Sequence, residues 1–552
     1  MGAGNGGAKK DGSIWPTRAS DLTALLRDGL GSRLPAFLDA QRWYGDKGRS
    51  ITSVSIVDAS GSAGPDEPFT LAIVDVKFDD DGNDSRYFLP IALIDDVPKG
   101  AISLCDMDVA GSRRFAVDAF GASAFAPWLL RQLVEGAQLS GERGVFRWTR
   151  TSGLDRFLAA ARAGTARTAA VEQSNSAVLY GDSIFLKVFR RLGAGVNPDE
   201  EVSSYLTRHS AFRSLPEPLG FATYEGDNGT SFSTAFYQHF VPSVGDGWSY
   251  TLGQVAAILP EDDDAAQSKQ EVASLVATYA GEAWRLGART GQLHQALGQE
   301  SNDPAFRPEV VTEDDAMARE AEVLQALEAT DVLLRARSAG LPMPIQERAA
   351  AFSAGLPAMA RRAAGFRAEV GTLRTRVHGD YHLGQVLRTG TKDWVILDFE
   401  GEPARPIEER RRKTSPLKDV AGMLRSFGYA AGAVARERRL APGSASAGVL
   451  AAWEAAARDA FLAGYRAQVA TDTRFLTPTG SREFASAVAA WELEKALYEI
   501  GYELNNRPDW LSLPLDSLLG GPASDNSIRE GDQALEDVAI DPSDPWRSAK
   551  ER

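Results

Sequence analysis

The sequence is poor in cysteine, and this limits the chemistry that the chain can carry. Among its 552 residues there is a single cysteine, Cys105. One thiol cannot form an intrachain disulfide, and it cannot supply a thiolate cluster for zinc. We therefore expect Cys105 to be a small residue of the hydrophobic core.

Long apolar runs are missing as well. No stretch approaches the length of a membrane span, and the opening segment MGAGNGGAKKDG has no apolar core of a secretion signal. Gly6 occupies the position where the myristoylation pattern requires Ser or Thr. These absences predict a cytoplasmic protein without a membrane partner.

Positive charge is in deficit. The chain has 75 acidic and 60 basic residues, which gives a net charge of −15. Such a balance argues against a protein that binds nucleic acid or an anionic membrane. The basic run at 410–413 is therefore expected to be solvated or salt-bridged. A neutral substrate and a nucleotide held by local positive charge are both compatible with this composition.

The patterns along the chain change in a way that predicts several packed regions, since the length exceeds one ordinary core. Short β-like runs separated by turns predict an antiparallel sheet between about 50 and 120. Helical periodicity dominates from about 252 onward. The fold class is thus α+β, with expected regions at 15–125, 126–245 and 246–519 and flexible tails at 1–14 and 520–552.

The segment HGDYHLGQ, residues 378–385, raises the question of a zinc site. His378 and His382 are four residues apart, a spacing that presents both rings on one face of a helix. Gly379 between them opposes a helix, and no Glu follows the first His to act as a base. We interpret the segment as a loop.

The residues after this loop favour magnesium instead. The runs QVLRT and WVIL, joined by a turn at Gly390, predict a hairpin that leads into Asp398. Strand ends meet across a hairpin, so we expect Asp380, Gln385 and Asp398 to lie near one another. Carboxylate and amide oxygens of this kind suit Mg²⁺.

A lysine on a predicted strand completes the set. In IFLKVF the period of two places Lys187 on the face opposite Leu186 and Val188, after a hairpin turn at Gly181. A helix capped by Asn197 follows, and Glu201 within it is able to pair with the lysine. Phosphoryl transfer from ATP requires such a cation, a metal site and a carboxylate that orients the attacking hydroxyl.

These motifs resemble the protein-kinase-like bilobal fold in its small-molecule branch, whose catalytic loop reads H-G-D-x-x-x-x-N. Gln385 stands here in place of the Asn. RWYGDKGR at 42–49, the segment that begins LDFEGEPARP, and EKALYEIGYELNNRPDW resemble the maltokinase family over about residues 20–515. Glucosamine kinases share much of this pattern. The family shows a second Gly where this chain has Asp46.

The resemblance implies an enzyme that uses ATP and Mg²⁺ to phosphorylate the anomeric hydroxyl of maltose, giving maltose 1-phosphate for α-glucan (glycogen) synthesis. Asp380 is then the base, Gln385 and Asp398 are metal ligands, and Lys187 holds the phosphates with Glu201 as its partner. Region 126–245 becomes the nucleotide-binding N-lobe and 246–519 the helical C-lobe. The remaining ATP contacts are expected at Gln173, Ser174, Asn175, Ser176 and the hinge from Gln238 to Val241.

Sugar contacts are expected on one late helix and near the phosphoryl centre. Leu493, Leu497, Ile500 and Leu504 form the predicted core stripe of this helix, with Trp491, Lys495, Tyr498 and Tyr502 nearly opposite. The second face either packs on another helix or contacts sugar. The resemblance favours sugar contacts for Lys495, Tyr498 and Glu499, and also for His382, Glu400 and Glu402.

Two alternatives stay open at the level of sequence. The first alternative to a maltose kinase is a glucosamine or other hexose kinase. The second is a non-catalytic nucleotide-binding scaffold for a trehalose or glycogen enzyme. A trehalose synthase partner has to be a separate chain, since this one has no room for an amylase-type barrel. The N-terminal cap domain at 15–125 is a lid, a docking surface or a brace.

Overall fold

The computed structural model describes residues 19–64, 67–80, 82–98, 102–109, 112–169, 175–259, 269–403 and 405–520. Gln173, Ser174, the predicted tail at 1–14 and all but the first residue of the tail at 520–552 lie outside the described residues. The chain divides into two compact units. The first contains the described residues up to Ser243 together with Val395–Arg411, and the second contains the rest. The predicted domain boundaries stay a prediction.

The first unit opens with two short helices and an antiparallel sheet. The elements are α1 (Ala19–Leu30), α2 (Leu34–Ala40), β1 (Ile51–Gly64), β2 (Glu67–Phe78), β3 (Ser85–Ile94), β4 (Ser103–Val109) and β5 (Ser112–Asp118). The strands run in the order β1-β2-β3-β5-β4. The antiparallel sheet predicted between about 50 and 120 is therefore confirmed, and Cys105 is buried as expected.

A second antiparallel sheet follows in the same unit. Its region contains α3 (Phe125–Glu135), β6 (Gln138–Ser140), β7 (Gly144–Arg150), α4 (Asp155–Ala163), β8 (Ala166–Ala169), β9 (Asn175–Tyr180), β10 (Ile184–Phe189), β11 (Arg191–Leu192), α5 (Pro198–His209), β12 (Pro218–Gly226) and β13 (Ser231–His239). The strand order is β6-β7-β12-β13-β10-β9-β8, while β11 pairs with β3 of the first sheet. Gly181, at φ +55°, turns the chain between β9 and β10 as predicted.

The alternation along β10 gives one face of buried aliphatic side chains and a second face on which Lys187 stands between Phe185 and Phe189. Ile184, Leu186 and Val188 are at most 1 % exposed and belong to the core of this sheet. Burying each such side chain stabilises the fold by about 1.5–3 kcal/mol. Lys187 necessarily points to the other face, opposite Ala177 on β9 and Phe236 on β13.

The remaining elements are mostly helical. They are β14 (Ser243–Asp246), α6 (Gly247–Ile258), α7 (Lys269–Leu297), β15 (Glu309–Val310), α8 (Glu313–Arg337), α9 (Met343–Ala363), β16 (Leu373–Arg374), β17 (Val386–Thr389), β18 (Trp394–Ile396), α10 (Ile407–Arg410), α11 (Leu417–Glu437), α12 (Ala445–Val469), α13 (Ser481–Asn506) and α14 (Ser512–Leu519). All these helices except α10 belong to the second unit. The predicted α+β class is confirmed.

Two glycines allow α7 and α12 to pack closely in the second unit. A Cβ atom on Gly287 would lie 2.0 Å from the carbonyl oxygen of Phe461, and one on Gly464 would lie 2.0 Å from that of Trp284. Only glycine permits such an approach of two helix backbones. No helix in the described part of the chain has the length and apolar character needed to cross a bilayer.

The predicted core stripe of α13 is confirmed. Leu493, Leu497, Ile500 and Leu504 are all buried. On the opposite side Trp491 is buried too, and its Nε1 donates to the Glu369 carboxylate at 2.9 Å. This part of the second face packs inside the protein, whereas Tyr502 is 45 % exposed.

Candidate active site

Lys187 is a buried cation surrounded by carboxylates of the first unit. Its Nζ lies 2.6 Å from Asp398 Oδ1, 2.5 Å from Glu400 Oε1 and 3.5 Å from Asp199 Oδ2. The lysine is only 2 % exposed. A buried ammonium requires opposite charge nearby, and these three carboxylates lie where they can supply it.

The first turn of α5 fixes the loop that carries two of these carboxylates. Asn197 caps the helix as predicted, with its side chain accepting from the Asp199 backbone N–H at 2.9 Å. Asp199 Oδ1 in turn accepts from the Phe399 N–H at 3.0 Å. Asp398, immediately before, has φ +61°, a left-handed conformation that Asp tolerates better than most residues.

The helix carboxylate beside Lys187 is Asp199, and this corrects the expectation for Glu201. Glu201 instead forms a bidentate ion pair with Arg411, at 2.6 and 2.9 Å. Residues two positions apart on a helix point in nearly opposite directions, so the side chain that faces the sheet depends on how the helix is rotated. The run 410–413 is salt-bridged as expected, since Arg410 and Lys413 also pair with carboxylates.

Glu400 belongs with Lys187, although its sequence position suggested a sugar contact. Its Oε1 also accepts from the Asn175 side-chain amide at 3.1 Å. Asn175, an expected ATP contact at the start of β9, is thereby joined to the carboxylates around Lys187. Glu402 is buried and pairs with Arg405.

The carboxylates near Lys187 form a group with the geometry of a cation site. One oxygen each from Asp199, Asp398 and Glu400 lies within 4.8 Å of the others. The pKa of Asp199 is raised above its usual range, because burial and the neighbouring Asp398 and Glu400 outweigh the opposing effect of Lys187. A hard divalent cation reduces the repulsion between neighbouring carboxylates, and a set of oxygen donors suits Mg²⁺.

In the second unit the buried Asp419 binds the backbone of the loop around Asp380. Asp419 accepts from the backbone N–H groups of His378 and Gly379 at 2.8 and 2.9 Å. The His294 ring lies 3.1 Å from the same carboxylate. Residues 378–382 form no helix, and Gly379 has φ +89°. Asp419 therefore braces this loop, and the helical arrangement that a His378/His382 zinc pair needs is absent from this described segment.

Asp380 itself is paired with a lysine from α13. Lys495 Nζ lies 3.1 Å from Asp380 Oδ1, and it also sits 4.8 Å from the centre of the Tyr498 ring. Burial alone would raise the pKa of Asp380, but the Lys495 ammonium and the His382 ring lower it to about 2. The carboxylate is therefore ionised throughout the physiological range.

The other predicted sugar contacts of the second unit have partners within that unit. His382 Nδ1 accepts from the Gly384 N–H at 3.0 Å and so caps the short turn that ends at Gln385. Glu499 accepts from Arg425 at 2.6 Å, and Tyr498 stacks on Tyr502. The roles of His382, Gln385, Tyr498 and Glu499 toward a ligand stay predictions.

The predicted hinge follows β13 in the first unit. Gln238 is buried opposite Phe185, on the same face of the sheet as Lys187. The Phe240 N–H donates to the Ser183 carbonyl at 2.9 Å, which ties the segment leading into Val241 to the β9–β10 turn. Adenine contacts by Gln238 and Val241 stay a prediction.

Sequence reasoning missed Asp199 and the direct pairing of Lys495 with Asp380. An acidic residue in the first turn of a helix is common because it complements the helix dipole, so Asp199 carried no signal of its own. The Lys495–Asp380 pair joins positions 115 residues apart. No local pattern reveals a contact of that kind.

Comparison with known proteins adds a family context. Residues 37–121 match the model of the maltokinase N-terminal cap domain. The chain is similar to the glucosamine kinase of Mycolicibacterium smegmatis, with 27% identity over 352 residues, which is 63% of this chain and 77% of the relative. It is also similar to that of Streptacidiphilus jiangxiensis, with 26% identity over 403 residues, 71% of this chain and 76% of the relative.

The fold comparison agrees with these matches. A solved structure, "Glucosamine kinase in complex with glucosamine, ADP and inorganic phosphate", superposes with a TM-score of 0.59 at 21% identity, covering 88% of this chain and 97% of that chain. The kinase-like fold predicted from the motifs is thereby confirmed. The cap-domain match and the glucosamine kinase relatives together support a maltokinase-like family for this chain.

Proposed function

We propose that this chain is an ATP- and Mg²⁺-dependent sugar kinase that phosphorylates the anomeric hydroxyl of maltose to give maltose 1-phosphate. The observation that carries the proposal is Asp380, an ionised carboxylate on a braced loop with a cation 3.1 Å away. The buried Lys187 with its three carboxylates supports the same reaction. The expected roles in α-glucan synthesis and beside a separate trehalose synthase are part of the proposal.

Asp380 orients the sugar hydroxyl and accepts its proton as the new bond to phosphorus forms. Its low pKa of about 2 makes it a weak base. An anomeric hydroxyl is more acidic than an ordinary alcohol, so a weak base suffices for this acceptor. Asp419 keeps the loop in place by binding the backbone of His378 and Gly379.

Lys187 supplies positive charge for the nucleotide phosphates. Mg²⁺, when bound, neutralises charge on the β- and γ-phosphates. Asp398, with Asp199 and Glu400 beside it, offers the carboxylate oxygens that would hold the ion. Gln385 is proposed as a further ligand through its amide oxygen.

The charge next to Asp380 favours a neutral acceptor. The Lys495 ammonium is close to the carboxylate that has to approach the reacting hydroxyl. This positive charge repels the ammonium group of an amino sugar, but it does not repel maltose, which is uncharged. The match of residues 37–121 to a maltokinase cap domain supports the same acceptor.

Glucosamine is the second candidate, and the names of two relatives and of one similar structure favour it. We expect ADP release with Mg²⁺ATP to give a kcat/KM for maltose at least about tenfold above that for glucosamine. Faster turnover of glucosamine would overturn the acceptor and keep the kinase. Binding of ATP without turnover of either sugar would favour a non-catalytic scaffold.

Replacing Lys495 with Met should change the pH dependence of this reaction. Activity is lost as pH falls through the pKa of Asp380, and the value of about 2 places that loss below the usual assay range. Without the ammonium, burial raises this pKa, so the acid limb of kcat should move upward by at least about two pH units and enter the assay range. Lys495→Arg keeps the charge and should keep the profile. Identical acid limbs in the Met variant and the parent would contradict this role.

A further inference from the structure

A line of aromatic side chains leads away from Asp380 along α13. Lys495 Nζ binds the Asp380 carboxylate and lies 4.8 Å from the centre of the Tyr498 ring. Tyr498 stacks on Tyr502, with the ring centres 6.5 Å apart and 21° between the planes. Residues three and four apart lie on one face of a helix, so Lys495, Tyr498 and Tyr502 form a continuous strip. The far end of the strip is open to solvent, since Tyr502 is 45 % exposed.

The strip continues past the end of α13 to Trp510. The guanidinium carbon of Arg507 lies 5.5 Å from the centre of the Tyr502 ring and 5.1 Å from that of Trp510. Such a cation is attracted to both rings and joins them. Trp510 in turn stacks on Tyr429 of α11, with 11° between the planes. The NRPDW segment, which the proposed reaction does not use, thereby extends the aromatic surface of the second unit.

Arg507 adds a hydrogen-bond donor to this surface. Its Nε and Nη2 donate to the two oxygens of the buried Glu503 at 2.9 and 2.6 Å. A bidentate pair of this kind holds the planar guanidinium in one orientation. Nη1 makes no hydrogen bond to the described part of the chain, and the Arg507 side chain is 47 % exposed. This nitrogen is therefore available to donate to a ligand.

Aromatic rings beside a hydrogen-bond donor match the two kinds of surface on a pyranose ring. The C–H groups on the face of a glucose ring pack on aromatic carbon, and the hydroxyl groups at its edge exchange hydrogen bonds with polar groups. Glu503 neutralises the charge of Arg507, which suits an uncharged ligand.

We propose that Tyr502, Arg507 and Trp510 form a subsite for a third glucosyl unit, so that the enzyme accepts maltotriose and longer α-1,4-linked chains as well as maltose. The inference deepens the proposed function and rests on it, because it places the reducing unit at Asp380. The second unit then lies at Tyr498, between the reacting unit and the new subsite. Trp, Tyr and Arg are also frequent in protein interfaces. The continuity of the strip with Asp380 favours a sugar chain over a protein partner.

Steady-state ADP release with maltose and with maltotriose tests this subsite. In the parent, KM for maltotriose should be at least about fivefold below KM for maltose, because the third unit adds contacts. In Tyr502→Ala and Arg507→Ala the two KM values should differ by less than about twofold. Arg335→Ala is the matched control, since Arg335 also pairs with a buried carboxylate four residues away on a helix, Asp331, at 2.9 Å. It should keep the ratio of the parent.

The same ratio of KM values in the parent, Tyr502→Ala and Arg507→Ala would overturn the inference and leave the proposed function standing. A parent that phosphorylates maltose but not maltotriose would do the same. Gel filtration examines a competing occupant, because a parent dimer that becomes monomeric in Tyr502→Ala would assign this surface to a second copy of the chain. A parent that phosphorylates neither sugar would refute the proposed function, and the inference with it. If Arg507→Ala fails to fold, the ratio in Tyr502→Ala decides.

Discussion

Asp380→Asn should lower kcat for sugar phosphorylation by about 10²–10⁴-fold, the range that general-base groups contribute. The amide has the shape of the carboxylate but cannot accept the hydroxyl proton. KM for ATP should change little, because Asp380 is proposed to act on the acceptor. Steady-state ADP release at saturating sugar and ATP measures the effect.

A matched control is available in the same unit. Asp393 is likewise paired with a basic side chain, with Arg289 Nη2 2.6 Å from its Oδ2, and it has no proposed role in the reaction. Asp393→Asn should therefore keep kcat within about twofold of the parent, because the loss of a partly exposed ion pair usually costs little stability. A kcat for Asp380→Asn equal to that of Asp393→Asn would remove Asp380 from its role.

Asp398→Asn is the second change with a large expected effect. Asn tolerates the left-handed backbone at φ +61° about as well as Asp, so the loop should keep its conformation. The variant lacks one negative charge of the Asp199, Asp398 and Glu400 group. We expect kcat to fall by about 10²–10³-fold, because the phosphate charge is then less well neutralised.

The Mg²⁺ dependence shows whether that loss arises at the proposed site. The Mg²⁺ concentration for half-maximal activity should rise at least about tenfold in Asp398→Asn, since a carboxylate ligand becomes a neutral one. Asp75→Asn, on the cap sheet, should leave it unchanged. A lower kcat with an unaltered Mg²⁺ requirement would place Asp398 outside the metal site and leave it only as a partner of Lys187.

Features governed by local periodicity were predictable from the sequence. The alternation along β10 placed Lys187 opposite a buried apolar face, and the heptad-like spacing on α13 identified Leu493 and Ile500 as core. Helix caps such as Asn197 were equally predictable, because the cap side chain accepts a hydrogen bond from the first turn of its own helix. Each of these depends on neighbours within a few residues.

Features that depend on tertiary placement were not predictable in the same way. Glu201 and Asp199 are both acidic first-turn residues of α5, and only the rotation of the helix on the sheet decides which one reaches Lys187. Glu400 followed the metal motif in sequence, yet its carboxylate lies against Lys187. The pairing of Lys495 with Asp380 was hidden for the same reason, since it joins distant segments.

The central claim is that this chain moves the terminal phosphoryl group of ATP to a sugar. Incubation with γ-³²P-labelled ATP, Mg²⁺ and maltose, followed by separation of sugars from nucleotides, tests it most directly. The account predicts labelled maltose 1-phosphate with the parent protein and none with Asp380→Asn. Label that stays in ATP, or appears only as inorganic phosphate, whichever of maltose or glucosamine is supplied would contradict it.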